Sequence, residues 1–360
     1  PQDRVKSAED LNSLKIKNLT PVKIEEGKIE SQIVVSEPVS GIKLYTLKNG
    51  SEVTVLTGNM LGGTVFSDNE RVPSLVASML DEGTENKTKF EISDTLENLG
   101  ANLSFYSGQT MVGFDAKFLT EDTGTIISLL SEQLKEPAFE KKNLEVVKKN
   151  RITSLKRSKE STSSNASKEM LNAFYGKDQQ NSPTEPDLAI EKIKKITTED
   201  LKNFHKKHYH PSNATFFTFG DMKPDDIQQV IAKNVFQNFE PSLEKIEVKN
   251  ETRIASPIQR TDVYNPLPGD DENHHVVLSW LLNESHNPIE LLETILLSNI
   301  LLDNSASPLR NALENSDLGI APSPLTGIET SHKEIVFAAG LEGVSAVSYT
   351  HLTLPTKRIV

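Results

Sequence analysis

The sequence predicts an α+β chain made of two αβ domains of related design, the second of them incomplete. Three observations lead to this. Strand-like runs of alternating apolar residues are followed by runs of helical period, and this happens twice. Between the two series lies a linker-like stretch near 238–272, where EPSL, ASP and NPLPGDDEN cluster proline, glycine and charge. The second series of elements ends sooner than the first. The resulting division is a linker or arm at 1–40, a first domain at 41–240, a linker at 241–272, the start of a second domain at 273–344, and a tail at 345–360.

Each element has a local reason. Residues 1–40 are charged and poor in aromatics, as an extended arm would be. In GIKLYTLKNGSEVTVLT, Asn49-Gly50 separates two strand-like runs and predicts a two-residue hairpin. VPSLVASMLDEGT sets Val72, Leu75, Val76, Met79 and Leu80 at helical spacing, with Pro73 in the first turn and Gly83 at the exit. Thr88 to Glu91 spells a capping box for a second helix that Gly100 ends. TMVGFDAKFLT alternates Val112, Phe114, Ala116 and Phe118 on one face of a half-buried strand. Helical patterns follow through Ile126–Leu134 and Leu144–Leu155, and SKESTSSNAS reads as a polar connection or a helix start. A further helix ends at HYHPSN, strand ATFFTFGD follows, and Pro224 opens another helix. The second series reads strand HVVLSWLL, helix IELLETILLSNILL, helix PLRNALENS and strand KEIVFAAGLEG. After it, SAVSYTHLTLPTKRIV continues no pattern and resembles a translated sequencing adapter, so 345–360 is expected to be non-native and loosely packed.

Composition narrows the chemistry. With 360 residues, 36% of them hydrophobic, the chain can build two cores. No run approaches the roughly 18 apolar residues of a membrane helix, so a soluble protein without membrane insertion is expected. The chain opens on PQDRV, with neither a methionine nor a signal-type apolar stretch, which reads as a processed form or a fragment. The absence of cysteine excludes disulfides, thiolate catalysis and sulfur-ligated metal, and fits a reducing compartment. A formal charge of −12 argues against nucleic acid as a partner and is compatible with basic peptides.

Few residues offer site chemistry. His205, His208 and His210 in FHKKHYH have metal-like spacing, but they end a helix, where basic side chains favour the dipole and cap carbonyls. His274 and His275 are neighbours at a strand start, so their rings point to opposite faces. Thr153 and Lys156 lie in helical register within a Ser/Lys-rich run that reads as a solvated basic face. GNMLGG at 58–63 lacks the helix and the Lys-Ser/Thr of a phosphate loop and reads as flexible backbone beside a strand. The first histidine in the chain is His205, so residues 1–204 cannot supply a histidine-held zinc.

VPSLVASMLDEGT…KFEISDTLENLGANLSF resembles the metal-site region of the inverted zinc peptidases, the pitrilysin, insulinase, processing-peptidase and presequence-protease family. Catalytic members carry H-x-x-E-H on that helix, two histidines one turn apart for zinc and a glutamate to polarise water. Aligned on Met79 and Gly83-Thr84, those positions here are Ser74, Ala77 and Ser78, and a third ligand on a later helix falls at or near Asn150. LKNFHKKHYHPSNATFFTFGDM, LSWLLNES, LLSNILLDNSASPLRNALENSDLGIAPSPLTG and FAAGLEGV are similar to segments of the presequence-protease branch, and 41–200 to the inactive second module of bacterial tandem peptidases.

The resemblance implies a clamshell half of two αβ domains, each an antiparallel-rich sheet covered by helices. It also implies a part in degrading unstructured peptides as the non-catalytic half that completes a closed chamber. A stand-alone non-catalytic partner of a heterodimeric processing peptidase is the alternative. On either reading zinc belongs to a catalytic half, fused or separate, and this segment holds none and has no peptidase activity alone. Arg310 does not take the transition-state role of the family's arginine–tyrosine pair, because no tyrosine follows at a usable distance in LENSDLGIAPSP. A metalloprotein of another class, built on His205, is the third reading.

Overall fold

Alternation along the strands sets up a sheet with one apolar face. The computed structural model describes residues 29–38, 42–176, 183–210, 214–235, 274–284, 287–330 and 334–345. Six strands form the first sheet: β1 (Ile33–Ser36), β2 (Lys43–Lys48), β3 (Val53–Leu61), β4 (Asn102–Ser107), β5 (Met111–Leu119) and β6 (Ala214–Gly220), in the order β1-β2-β6-β3-β5-β4. Only the β2–β6 pair is parallel. Register carries one buried row across the sheet, Leu44–Phe216–Gly58–Phe114, and a second, Thr46–Thr218–Leu56–Ala116–Leu103. Neighbouring residues point the other way, where Tyr45 stacks on Phe217 with centroids 5.0 Å apart.

Two expectations change here. β2 and β3 do not form the hairpin that Asn49-Gly50 predicts, because β6 runs between them. The turn arches over the end of β6, with Asn49 N donating to Gly220 O at 3.1 Å and Asp221 N to Ser51 O at 2.9 Å. The physical cause is β6 itself: ATFFTFG buries Ala214, Phe216 and Thr218, and such a strand is best paired on both edges. In addition, residues 33–36 of the expected arm pair with β2 as an edge strand.

Eight helices accompany this sheet among the described residues: α1 (Val72–Leu80), α2 (Lys89–Asn98), α3 (Thr123–Lys135), α4 (Lys141–Lys159), α5 (Thr162–Tyr175), α6 (Pro186–Lys195), α7 (Thr198–His208) and α8 (Pro224–Asn234). The capping box at α2 is present as read, with Thr88 and Glu91 each closing on the other's backbone N–H. Thr197 and Asp200 make the same device for α7. SKESTSSNAS proves to be a helix start, with Ser161 as N-cap of α5.

A second, antiparallel sheet is centred on β10 (Glu334–Val344), which pairs with β7 (His274–Glu284), β8 (Ala321–Pro322) and β9 (Gly327–Glu329). Helices α9 (Pro288–Leu302) and α10 (Pro308–Glu314) pack together beside it. Helix α5 joins the two units. Thr162 Oγ1 lies 3.0 Å from His275 Nε2, and the buried Tyr175 donates its hydroxyl proton to Glu334 Oε2 at 3.1 Å. The linker read at 241–272 and the tail from 346 onward lie outside the described residues.

Candidate functional site

Helix α1 is held on three sides, against α7, α4 and β4. Val72, Leu75, Val76, Met79 and Leu80 are buried, as the helical spacing predicts, and so are Pro73 and Ala77. No side chain caps its N-terminus. Instead Asn69 accepts from Val72 N through its carbonyl (3.0 Å) and from Arg71 N through Oδ1 (3.1 Å), and Pro73 has no N–H to satisfy.

The three motif positions lie on one turn. Ser74 Oγ donates to Arg71 O at 3.1 Å, and Ser78 Oγ donates to Ser74 O at 3.0 Å. Ala77 is buried and brings only a methyl group. Ser78 Oγ also accepts from Arg151 Nη2 at 2.9 Å, so the hydroxyl is engaged as both donor and acceptor. Asn150, the expected third position, is exposed, and the bond from α4 to α1 comes from the next residue. The reason is helical phase: Leu144, Val147 and Lys148 face inward, so the following position of that stripe is 151, with 150 turned about 100° away.

Gly83 and Thr84, the other half of the motif frame, act in packing. Gly83 has φ +128°, and a Cβ there would lie 3.0 Å from Lys87 O. The buried Thr84 donates from Oγ1 to Glu132 Oε1 at 2.6 Å, and its oxygen accepts from Asn86 N and Lys87 N at 3.2 and 2.9 Å. Burial opposes ionisation of Glu132, but bonds from Lys87 and Thr84 outweigh it and hold the carboxyl below its ordinary pKa. Glu85 N to Glu136 O (2.9 Å) and Gln133 Nε2 to Leu80 O (3.0 Å) complete the seam between the α1 exit and α3.

The histidine rings of α7 pack against carbonyls and rings of the fold. His205 Nε2 lies 2.9 Å from Leu134 O, and its ring stacks on Tyr209 at 5.0 Å. Burial lowers its pKa to about 4 despite that bond, so the ring is neutral. His208 is buried against Phe204, its ring centroid 4.4 Å away, with Nδ1 3.3 Å from Leu61 O. The rings therefore satisfy carbonyls of other elements, not those ending their own helix. His210 is partly buried. Among the described residues no three His, Asp or Glu side chains gather as a metal site.

Buried polar groups lie near these rings. Burial raises the Asp81 carboxyl to about 7, with Lys89 opposing the shift and Glu82 adding to it. It also lies close enough to Tyr209 to raise that buried phenol further. Among the described residues Tyr209 Oη and Gln133 Oε1 are buried without a hydrogen-bond partner.

The remaining candidates resolve as follows. His275 sits between Thr162 and Ser323, each 3.0 Å from a ring nitrogen. Thr153 returns its hydroxyl proton to Lys149 O at 2.8 Å, and Lys156 is an exposed residue of the last turn of α4. GNMLGG is tightly packed backbone rather than a flexible stretch: a Cβ at Gly58 would fall 2.3 Å from the Phe114 ring. Arg310 Nε pairs with Glu314 Oε1 at 2.5 Å.

Residues 68–187 match the model of the insulinase family, peptidase family M16, and residues 195–342 match that of the peptidase M16 inactive domain. The mitochondrial presequence protease of Gibberella zeae is 34% identical over 157 residues, which is 43% of this chain and 15% of the relative. That of Xenopus tropicalis is 34% identical over 158 residues, again 15% of its length. The chain thus spans a small part of these relatives.

Among solved structures, a peptidase M16 inactive domain from Pseudomonas fluorescens superposes with a TM-score of 0.73 at 19% identity, covering 89% of this chain and 77% of that one. The periplasmic protease PqqL of Escherichia coli gives 0.61 at 16% identity, covering 87% of this chain and 36% of that one. These two likenesses concern the fold. With two adjoining family matches along its length, the chain belongs to the insulinase-type M16 family of inverted zinc metallopeptidases.

Proposed function

We propose that this chain is the non-catalytic half of a two-halved zinc endopeptidase, enclosing an unstructured peptide while another half carries the metal. The observation behind the reading is the state of one turn of α1. Ser74 and Ser78 spend their protons on helix carbonyls, Ala77 has no lone pair, and a guanidinium occupies the free side of Ser78. A neutral hydroxyl is a poor ligand for a divalent cation, and the positive Arg151 repels one. No residue of the turn can act as the general base that family hydrolysis needs.

What the chain contributes on this reading is enclosure. Confinement lowers the entropic cost of ordering a flexible peptide and excludes folded proteins from the metal. The buried frame of α1, anchored through Gly83 and Thr84, keeps the wall rigid. The test is cleavage of a basic model peptide, by the chain alone and after mixing with a catalytic half from a presequence-protease relative. The chain alone is expected to be inactive, and the mixture more active than the catalytic half by itself. Chelator-sensitive cleavage by the isolated chain would overturn the proposal.

A further inference from the structure

Helix α4 carries Lys or Arg at eight of its 19 positions and a single acid, Glu145, in a chain whose formal charge is −12. A solvated helix ordinarily mixes signs at i,i+4, and cations in the last turn favour the dipole. The second effect accounts for Lys156, Arg157 and Lys159 but not for the rest. Lys141 and Lys142 stand in the first turn, where positive charge is unfavourable, and only Lys142 is paired there, with the N-cap Glu140 at 2.9 Å. Lys149 and Arg151 stand in the middle. Among the described residues no carboxylate lies within ion-pair reach of Lys141, Lys149, Lys156 or Arg157, all of them exposed.

We propose that this face of α4 is a docking surface for an acidic segment of another protein, one presenting carboxylates over about 22 Å, the distance from Lys141 to Lys156 along the helix. Charge complementarity selects the occupant. The face has no aromatic residue on which bases could stack, and the surrounding acidic chain repels a long polyanion such as nucleic acid. Its one large exposed apolar residue, Val146, is too little to enter a lipid surface but suits a single aliphatic contact at the centre of a protein interface. Arg151 brings the surface to the edge of α1, since the same guanidinium holds Ser78. The inference stands on the charge and exposure of α4 and does not depend on the enclosure role.

The test uses the full chain and a fluorescein-labelled 16-residue peptide of Glu-Glu-Ala-Leu repeats, read by fluorescence anisotropy at low and moderate salt. Binding is expected at low salt and at least tenfold weaker at moderate salt. Any binding of the Lys-Lys-Ala-Leu counterpart, which the acidic remainder of the chain can attract, should not weaken when the α4 cations are replaced. The triple variant Lys149→Glu/Lys156→Glu/Arg157→Glu should lose at least tenfold in affinity, and Lys149→Gln/Lys156→Gln/Arg157→Gln should fall between it and the unaltered chain. Lys206→Glu/Lys207→Glu on α7 matches the sign of the change elsewhere and should bind as the unaltered chain does. Equal loss in that control, unchanged binding by both triple variants, or tighter binding to single-stranded RNA or phosphatidylserine vesicles than to the acidic peptide would overturn the proposal.

Discussion

Replacing Thr84 by valine asks why the motif frame persists on a helix without ligands. The substitution keeps the β-branched shape and removes one hydroxyl. That hydroxyl donates to Glu132 Oε1 at 2.6 Å and receives Asn86 N and Lys87 N at 3.2 and 2.9 Å. A hydrogen bond to a charged carboxylate contributes about 1.5–3 kcal/mol, and leaving turn N–H groups without a partner adds about 1 kcal/mol. Glu132 keeps Lys87, so the lower part of that range applies and the expected loss is about 2–3 kcal/mol. Urea denaturation followed by circular dichroism measures it, as a lower midpoint at constant slope. Thr84→Ser keeps the hydroxyl and loses only a methyl, so it should cost about 1 kcal/mol. If valine costs less than serine, the hydroxyl is not what holds the α1 exit, and the structural explanation for the frame fails.

Gly58→Ala should destabilise by about 1–3 kcal/mol or more, because the added Cβ meets Phe114 at 2.3 Å and Phe216 at 2.6 Å; a wild-type melting temperature in that variant would contradict the packing described. The pH dependence should carry two opposed slopes. Asp81, raised to about 7, contributes stability that is complete below the ordinary carboxylate range and is lost as pH rises toward that value. His205, lowered to about 4, acts in reverse, since the unfolded ring takes up a proton first and stability falls as pH drops from about 6.5. Asp81→Asn should therefore leave a chain that weakens on acidification, and His205→Gln one that weakens as pH rises from about 4 to 7. Denaturation midpoints across that range, identical in shape for both variants, would refute the assignment.

Much of the fold was legible because its periodicities are strong. The buried face of α1, the alternation of β5 and the capping box of α2 stand where residue spacing puts them. What escaped was long-range. Nothing within KNGS tells that a strand more than 150 residues later will insert between β2 and β3; the double phenylalanine of ATFFTFG hints only that β6 wants two neighbours. At the candidate site the hydroxyls were foreseen, but Arg151 was not. The inward stripe Leu144, Val147, Lys148 would have found it by adding one more helical step. Glu132 was not recoverable in the same way, because its partnership with Thr84 joins elements 48 positions apart.

The account turns on whether one turn of α1 can hold a divalent cation. Zinc can be added in equimolar amount to the purified chain, the sample dialysed, and the retained metal counted by plasma mass spectrometry for the chain and for Ser74→Ala/Ser78→Ala. The account predicts no stoichiometric zinc in either protein. One zinc per chain, lost when the two serines are replaced, would contradict it.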